Sequence, residues 1–134
     1  MKIDTADGSL SFDLGAVRSG QSREVFLGTA LGRTARTELI NREWWHLHVR
    51  PEHGVRANVL FRGERLHHVY VLMDIPSDER NEWTMENELL RKAAHDRWLL
   101  QTIGKPPYDY DWGSIASEFD AKGCVSEIIV SYAG

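Results

Sequence analysis

Covalent staples are almost missing from this chain of 134 residues, which has one cysteine, Cys124, and only four prolines. A lone thiol forms no intrachain disulfide and no Cys-rich metal cage, so packing alone must hold the fold. No apolar run approaches the roughly 20 residues that span a bilayer, and the opening Met1-Lys2-Ile3-Asp4-Thr5-Ala6-Asp7-Gly8 lacks an apolar signal core. A cytoplasmic protein with no membrane contact is the expectation. Neither Gly-x-Gly-x-x-Gly nor Gly-x-x-x-x-Gly-Lys-Ser/Thr occurs, which removes the common phosphate cradles. No Gly-x-Ser-x-Gly elbow is present to expose a nucleophilic serine, and Cys124, beside the hairpin glycine Gly123, reads as a small apolar filler in a strand. The expectation is therefore no enzyme, no catalytic residues, no cofactor and no bound metal. With no repeat, low-complexity tract or linker, residues 1–134 read as a single domain.

What the sequence does contain suits a packed core: 42 % hydrophobic residues, with five Trp, four Tyr and four Phe. Charge is uneven. Residues 1–73 carry ten Lys/Arg against eight Asp/Glu, whereas residues 74–134 carry six against twelve, a surplus of six negative charges. Phosphate binding needs a basic stripe, so this surplus argues against nucleic acid and for a basic partner drawn in electrostatically.

The pattern of apolar residues predicts an α+β fold: an antiparallel twisted sheet of about five to seven strands with one long helix on a face. Leu10, Phe12 and Leu14 alternate as a short strand over 10–14, and Ser22 caps a brief helix, Arg23 to Leu27, ended by Gly28. Residues 29–43 read as a loop or an irregular edge strand. Three strands follow as a meander, turning at Pro51-Glu52-His53-Gly54 and at Arg62-Gly63-Glu64-Arg65, the third running from Leu66 to Met73. Thr84 to Ile103 is the long helix, closed by Gly104 before Pro106-Pro107. At 100° per residue Met85, Leu89, Ala93, Leu99, Leu100 and Ile103 form a stripe expected to lie on the sheet, interrupted by Asp96; Leu90, Ala94 and Trp98 form a second ridge that reads as further core or as an exposed anchor. Glu88 and Lys92 read as an i,i+4 pair. Ser114 to Phe119 and Val125 to Tyr132 close the chain as a hairpin.

Six histidines raise the question of metal. His46 and His48 share a strand face, with Glu52 four residues on, a spacing that resembles the first half of the cupin metal motif. The glycine which that motif places six residues before the first histidine is Ile40 here, and no second half follows. A small-ligand or metal site at His46, His48 and Glu52 stands as the alternative reading. His67 and His68, being adjacent, are expected to point to opposite faces.

Protein recognition has better material. Asp74, Asp78, Glu79, Glu82 and Glu86 surround Trp83, and Tyr108-Asp109-Tyr110-Asp111-Trp112 repeats the mixture. Rings supply desolvated contact while carboxylates steer encounter, so Asp74, Asp78, Glu79, Glu82, Trp83, Glu86, Tyr108, Asp109, Tyr110 and Asp111 are the candidate partner-binding residues.

The stretch from Tyr110-Asp111-Trp112-Gly113 through Ser117-Glu118-Phe119-Asp120-Ala121-Lys122-Gly123, followed by Ser126-Glu127-Ile128-Ile129-Val130-Ser131-Tyr132, resembles small bacterial immunity proteins of contact-dependent growth inhibition and related polymorphic toxin systems. The resemblance also takes in Phe61 to Val71 and the long helix. It implies an antitoxin, a monomer that binds the C-terminal domain of its cognate toxin, often a basic nuclease, in a 1:1 complex and covers the active site. No functional residue carries over, because such proteins share no catalytic motif.

Overall fold

The computed structural model describes residues 1–76 and 83–133. Two antiparallel sheets are present. The smaller pairs β1 (Lys2–Ile3), β2 (Leu10–Phe12) and β3 (Gly15–Val17) in that order. A helix, α1 (Arg23–Leu27), starts at Ser22, whose Oγ accepts the Val25 N–H at 3.2 Å, as the sequence predicts. The larger sheet holds β4 (Arg36–Ile40), β5 (Trp44–Glu52), β6 (Val55–Arg62), β7 (Arg65–Met73), β8 (Tyr108–Tyr110), β9 (Gly113–Asp120) and β10 (Val125–Tyr132). Its spatial order is β4-β5-β6-β7-β10-β9-β8. The second helix, α2 (Met85–Ile103), carries the chain from the end of β7 to the far edge, so it has to cross β10 and β9.

One face of the large sheet is the core. Leu47, Val49, Val55, Ala57, Val59, Phe61, Val69, Val71, Ile128 and Val130 are buried there. The small sheet covers part of it with Leu10, Phe12 and Val17, α1 adds Phe26 at 6.0 Å from the Phe61 ring, and α2 lies over the β10–β9 side. Each such large side chain, fully buried, contributes about 1.5–3 kcal/mol. The opposite face carries Trp44, His46, His48, Asn58, Tyr70, Leu72 and Glu127, and no described helix lies on it.

The sequence places the meander, α1, α2 and the last hairpin within a residue or two. It misses β1, β3 and β8, each only two or three residues long, and extends β2 to Leu14, which is exposed. Cys124 is not in a strand: it sits in the turn before β10 with φ 49°, and its carbonyl is used by Trp83.

The largest correction concerns α2. Its buried residues are Glu88, Arg91, His95 and Leu99, whereas Met85, Leu89 and Leu100 of the expected core stripe point to solvent. The reason lies in the sheet. The β7–β10 ladder runs from His68↔Ser131 to Val71↔Ile128 and then stops, leaving the backbone of Met73 and Ser126 without each other. Side chains of α2 fill the gap: His95 Nε2 accepts the Met73 N–H at 3.1 Å, Arg91 Nη1 donates to the Met73 carbonyl, and Glu88 Oε1 accepts the Ser126 N–H at 2.9 Å. Ser126 Oγ in turn donates to the Glu88 carbonyl, and Arg91 Nε bonds Glu88 Oε1 at 3.1 Å. A buried backbone group left unmet costs about 1–3 kcal/mol, which is enough to decide which face of the helix turns inward. Lys92 pairs with Asp96 at 2.8 Å instead of with Glu88, so Asp96 no longer interrupts a buried stripe.

Candidate protein-binding surface

Because its inner face is given to these polar pins, α2 presents an apolar outer face. Met85, Leu89, Leu90 and Leu100 on the helix, with Trp83 just before its Thr84 cap, are each 49–56 % exposed. Met85, Leu89, Ala93 and Leu100 line up at helical spacing, and Leu90 widens the strip. Glu86, Asp96 and Arg97, also exposed, share this face, and Asp96 and Arg97 separate Ala93 from Leu100. Trp83 is held in one orientation: its Nε1 donates to the Cys124 carbonyl at 2.5 Å, and the guanidinium groups of Arg56 and Arg91 lie 5.4 and 6.0 Å from its ring centroid. An oriented indole and exposed leucines on one helix and its lead-in are the materials of a docking anchor.

The residues singled out in the sequence do not form one face. Asp74 follows β7, and its carboxylate lies 3.5 Å from Nη2 of Arg56, whose guanidinium is 5.4 Å from the Trp83 ring centroid. Asp78, Glu79 and Glu82 lie outside the described residues. Asp109, Tyr110 and Asp111 belong to the opposite end of the sheet, beside Gly113 and Tyr132, and along β10 the distance from Ser126 to Tyr132 is about 20 Å at ~3.3 Å per residue. Tyr108 is no surface anchor: it is buried, and its hydroxyl donates to the Gly104 carbonyl at 2.8 Å. Tyr110 is half-buried and stacks on Trp112, centroids 5.0 Å apart. Sequence reasoning missed Met85, Leu89 and Leu100 as surface, while Leu90, open to either core or an exposed anchor, is exposed. The signal that could have found them is the spacing of Glu88, Arg91 and His95 with Leu99, a helical face in its own right.

The histidines gather on the open face of the sheet. His46 and His48 rings sit 6.5 Å apart, and Asn58 Nδ2 is 3.4 Å from His46 Nδ1. Glu52 is not with them, since its carboxylate accepts the Met1 ammonium at 2.9 Å and the Asp13 N–H at 3.3 Å. His67 and His68 do not point to opposite faces. A bulge between Leu60 and Phe61 gives β7 an extra residue, and the two Nδ1 atoms lie 2.5 Å apart. Burial lowers the pKa of His48, helped by Arg36, that of His67, helped by Arg65 and Arg62, and that of His68, helped by His67. Among the described residues no three His, Cys, Asp or Glu side chains converge as metal ligands. A cavity of about 700 Å³ does open on this face, lined by Arg36, His48, Arg50, Asn58, Trp83 and Glu127 among others.

The motif residues of the C-terminal stretch have structural work. Gly113 is required because a Cβ there would come within 1.9 Å of the Ser131 carbonyl oxygen. Trp112 Nε1 donates to the Thr5 carbonyl and Tyr132 Oη to the Gly8 carbonyl, both at 2.8 Å, tying the small sheet to the large one. Ser126 anchors Glu88. Set against models of known protein families, curated proteins and solved structures, the chain matches none of them. No helix among the described residues is long and apolar enough to cross a membrane.

Proposed function

We propose that this chain is an immunity protein that binds a cognate toxin domain in the cytoplasm and neutralises it by stoichiometric occlusion, without catalysis. The observation that carries this reading is the outward-facing apolar strip of α2 with Trp83 at its head. A monomeric protein leaves such a strip uncovered only at the cost of solubility, and a partner with a complementary apolar patch relieves that cost. Glu86 on the same helix, with Asp74, Asp78, Glu79 and Glu82, supplies the steering charge for a basic toxin, so added salt slows association more than it hastens dissociation. Asp109 and Asp111, at the other end, act only through the long-range field.

Coexpression with the product of the reading frame immediately upstream tests the function. Protected growth and a co-purified complex support it, whereas unrelieved killing with no complex sinks it. A small-ligand domain is the second reading, favoured by the cavity beside His48. Metal analysis of the purified protein separates the two: stoichiometric zinc lost in His46→Ala/His48→Ala supports the ligand reading.

A further inference from the structure

The open face of the large sheet gathers positive charge that the acidic composition does not foretell. Side chains two residues apart on a strand share a face, so Arg50 stands with His48 on β5 and Arg56 with Asn58 on β6, while Arg36 of β4 pairs in register with His48. All five line the cavity of about 700 Å³, with Leu72 and Trp83 as apolar lining and Glu127 as the one carboxylate among the described residues there. Three guanidinium groups thus face one carboxylate, in a chain whose net charge is −4. Arg36 and Arg56 have partners in Glu38 and Asp74, at 2.6 and 3.5 Å, and neither of those carboxylates lines the cavity. Arg50, which is exposed, has no ion pair with a described residue. Asn58 Oδ1 and His48 Nε2 are buried in the lining without a hydrogen bond to a described residue.

We infer that this cavity binds a small organic anion, a carboxylate or phosphate carried on a flat apolar body. Arg50 is the guanidinium left to take the anionic group, since its planar fork matches either oxyanion through two parallel hydrogen bonds, and Arg36 and Arg56 add their field. Trp83, half exposed and held by its bond to the Cys124 carbonyl, joins Leu72 in receiving the apolar body. The volume lies within the range of ligand pockets, about 300–1,000 Å³. A nucleic acid is a worse occupant, because it needs a basic stripe that continues beyond one cavity. The inference rests on the small-ligand reading and names its ligand, and it can fail while a zinc site at His46 and His48 survives. Toxin binding through the outer face of α2 does not decide it.

Heteronuclear NMR of the labelled full chain is the test, with naphthyl phosphate, naphthoate, neutral naphthol and inorganic phosphate as probes. Saturable shifts that include the Trp83 indole N–H are expected, with Kd of about 1 mM or tighter for at least one naphthyl anion and about tenfold weaker binding of naphthol and of phosphate. The tighter of the two anions tells a phosphate ligand from a carboxylate one. Arg50→Gln should weaken that binding by about tenfold or more, and its thermal melt should match the parent, because the side chain is exposed. Zinc analysis of the same sample reads the metal site separately. No saturable shift with either anion, naphthol or phosphate binding as well as the anions do, or unchanged binding by Arg50→Gln would each overturn the site.

Discussion

At the scale of single residues, His95 is the most informative side chain. Its Nε2 accepts the Met73 N–H, which requires the neutral ring with its proton on Nδ1. Burial, then the nearby Arg91, lowers its pKa to about 4. An unfolded chain takes up that proton below about pH 6.5 while the folded protein refuses it until about pH 4. Stability therefore falls as pH drops through this window, by about 3 kcal/mol in all, and this contribution levels off below it. Urea titrations at stepped pH check the slope, and His95→Gln, which keeps an acceptor and cannot titrate, should make it shallower, leaving the same-signed shares of His48, His67 and His68. Arg91→Met is the harsher change. It strands the buried Glu88 carboxylate and the Met73 carbonyl, and a loss of about 3–5 kcal/mol in denaturant stability is expected. A loss below about 1 kcal/mol, the level of a surface pair, would show that the helix is not pinned in this way.

At the scale of elements, the outer face of α2 separates stability from binding. Leu89→Asp with Leu100→Asp alters exposed side chains, so stability should stay within about 0.5 kcal/mol for each change in a thermal or urea melt. A large loss would mean these leucines pack where the account has them free. The element boundaries were legible because capping residues and turn glycines act locally: Ser22, Thr84, Gly104 and the β5–β6 and β6–β7 turns each announce themselves. The facing of α2 was not legible, because two helical stripes compete for the sheet. What decides between them is a break in the β7–β10 ladder at Met73, a contact between strands far apart in sequence. The same limit explains His67 and His68, whose shared face depends on a bulge, and the scattering of the acidic and aromatic residues to both ends of the sheet.

At the scale of the whole molecule, all described helices sit on the core face. That leaves two surfaces for function, the outer face of α2 and the histidine-bearing open face. The two meet at Trp83, which lines the cavity of the open face, and Arg36 of β4 lines it as well. The net charge of −4 and the acidic surplus after residue 73 imply steered association, so the on-rate for a basic partner should drop steeply with ionic strength in stopped-flow mixing, while the off-rate changes little. The candidate site was legible as a class, aromatic and acidic around Trp83, and illegible as a surface, since its apolar half was mistaken for core. The most direct test of that surface is titration calorimetry of the toxin domain proposed above against the parent chain and the Leu89→Asp/Leu100→Asp variant. The account predicts one toxin per chain for the parent and affinity weakened by about a hundredfold or more in a variant that melts normally. Equal affinity of the two would contradict it.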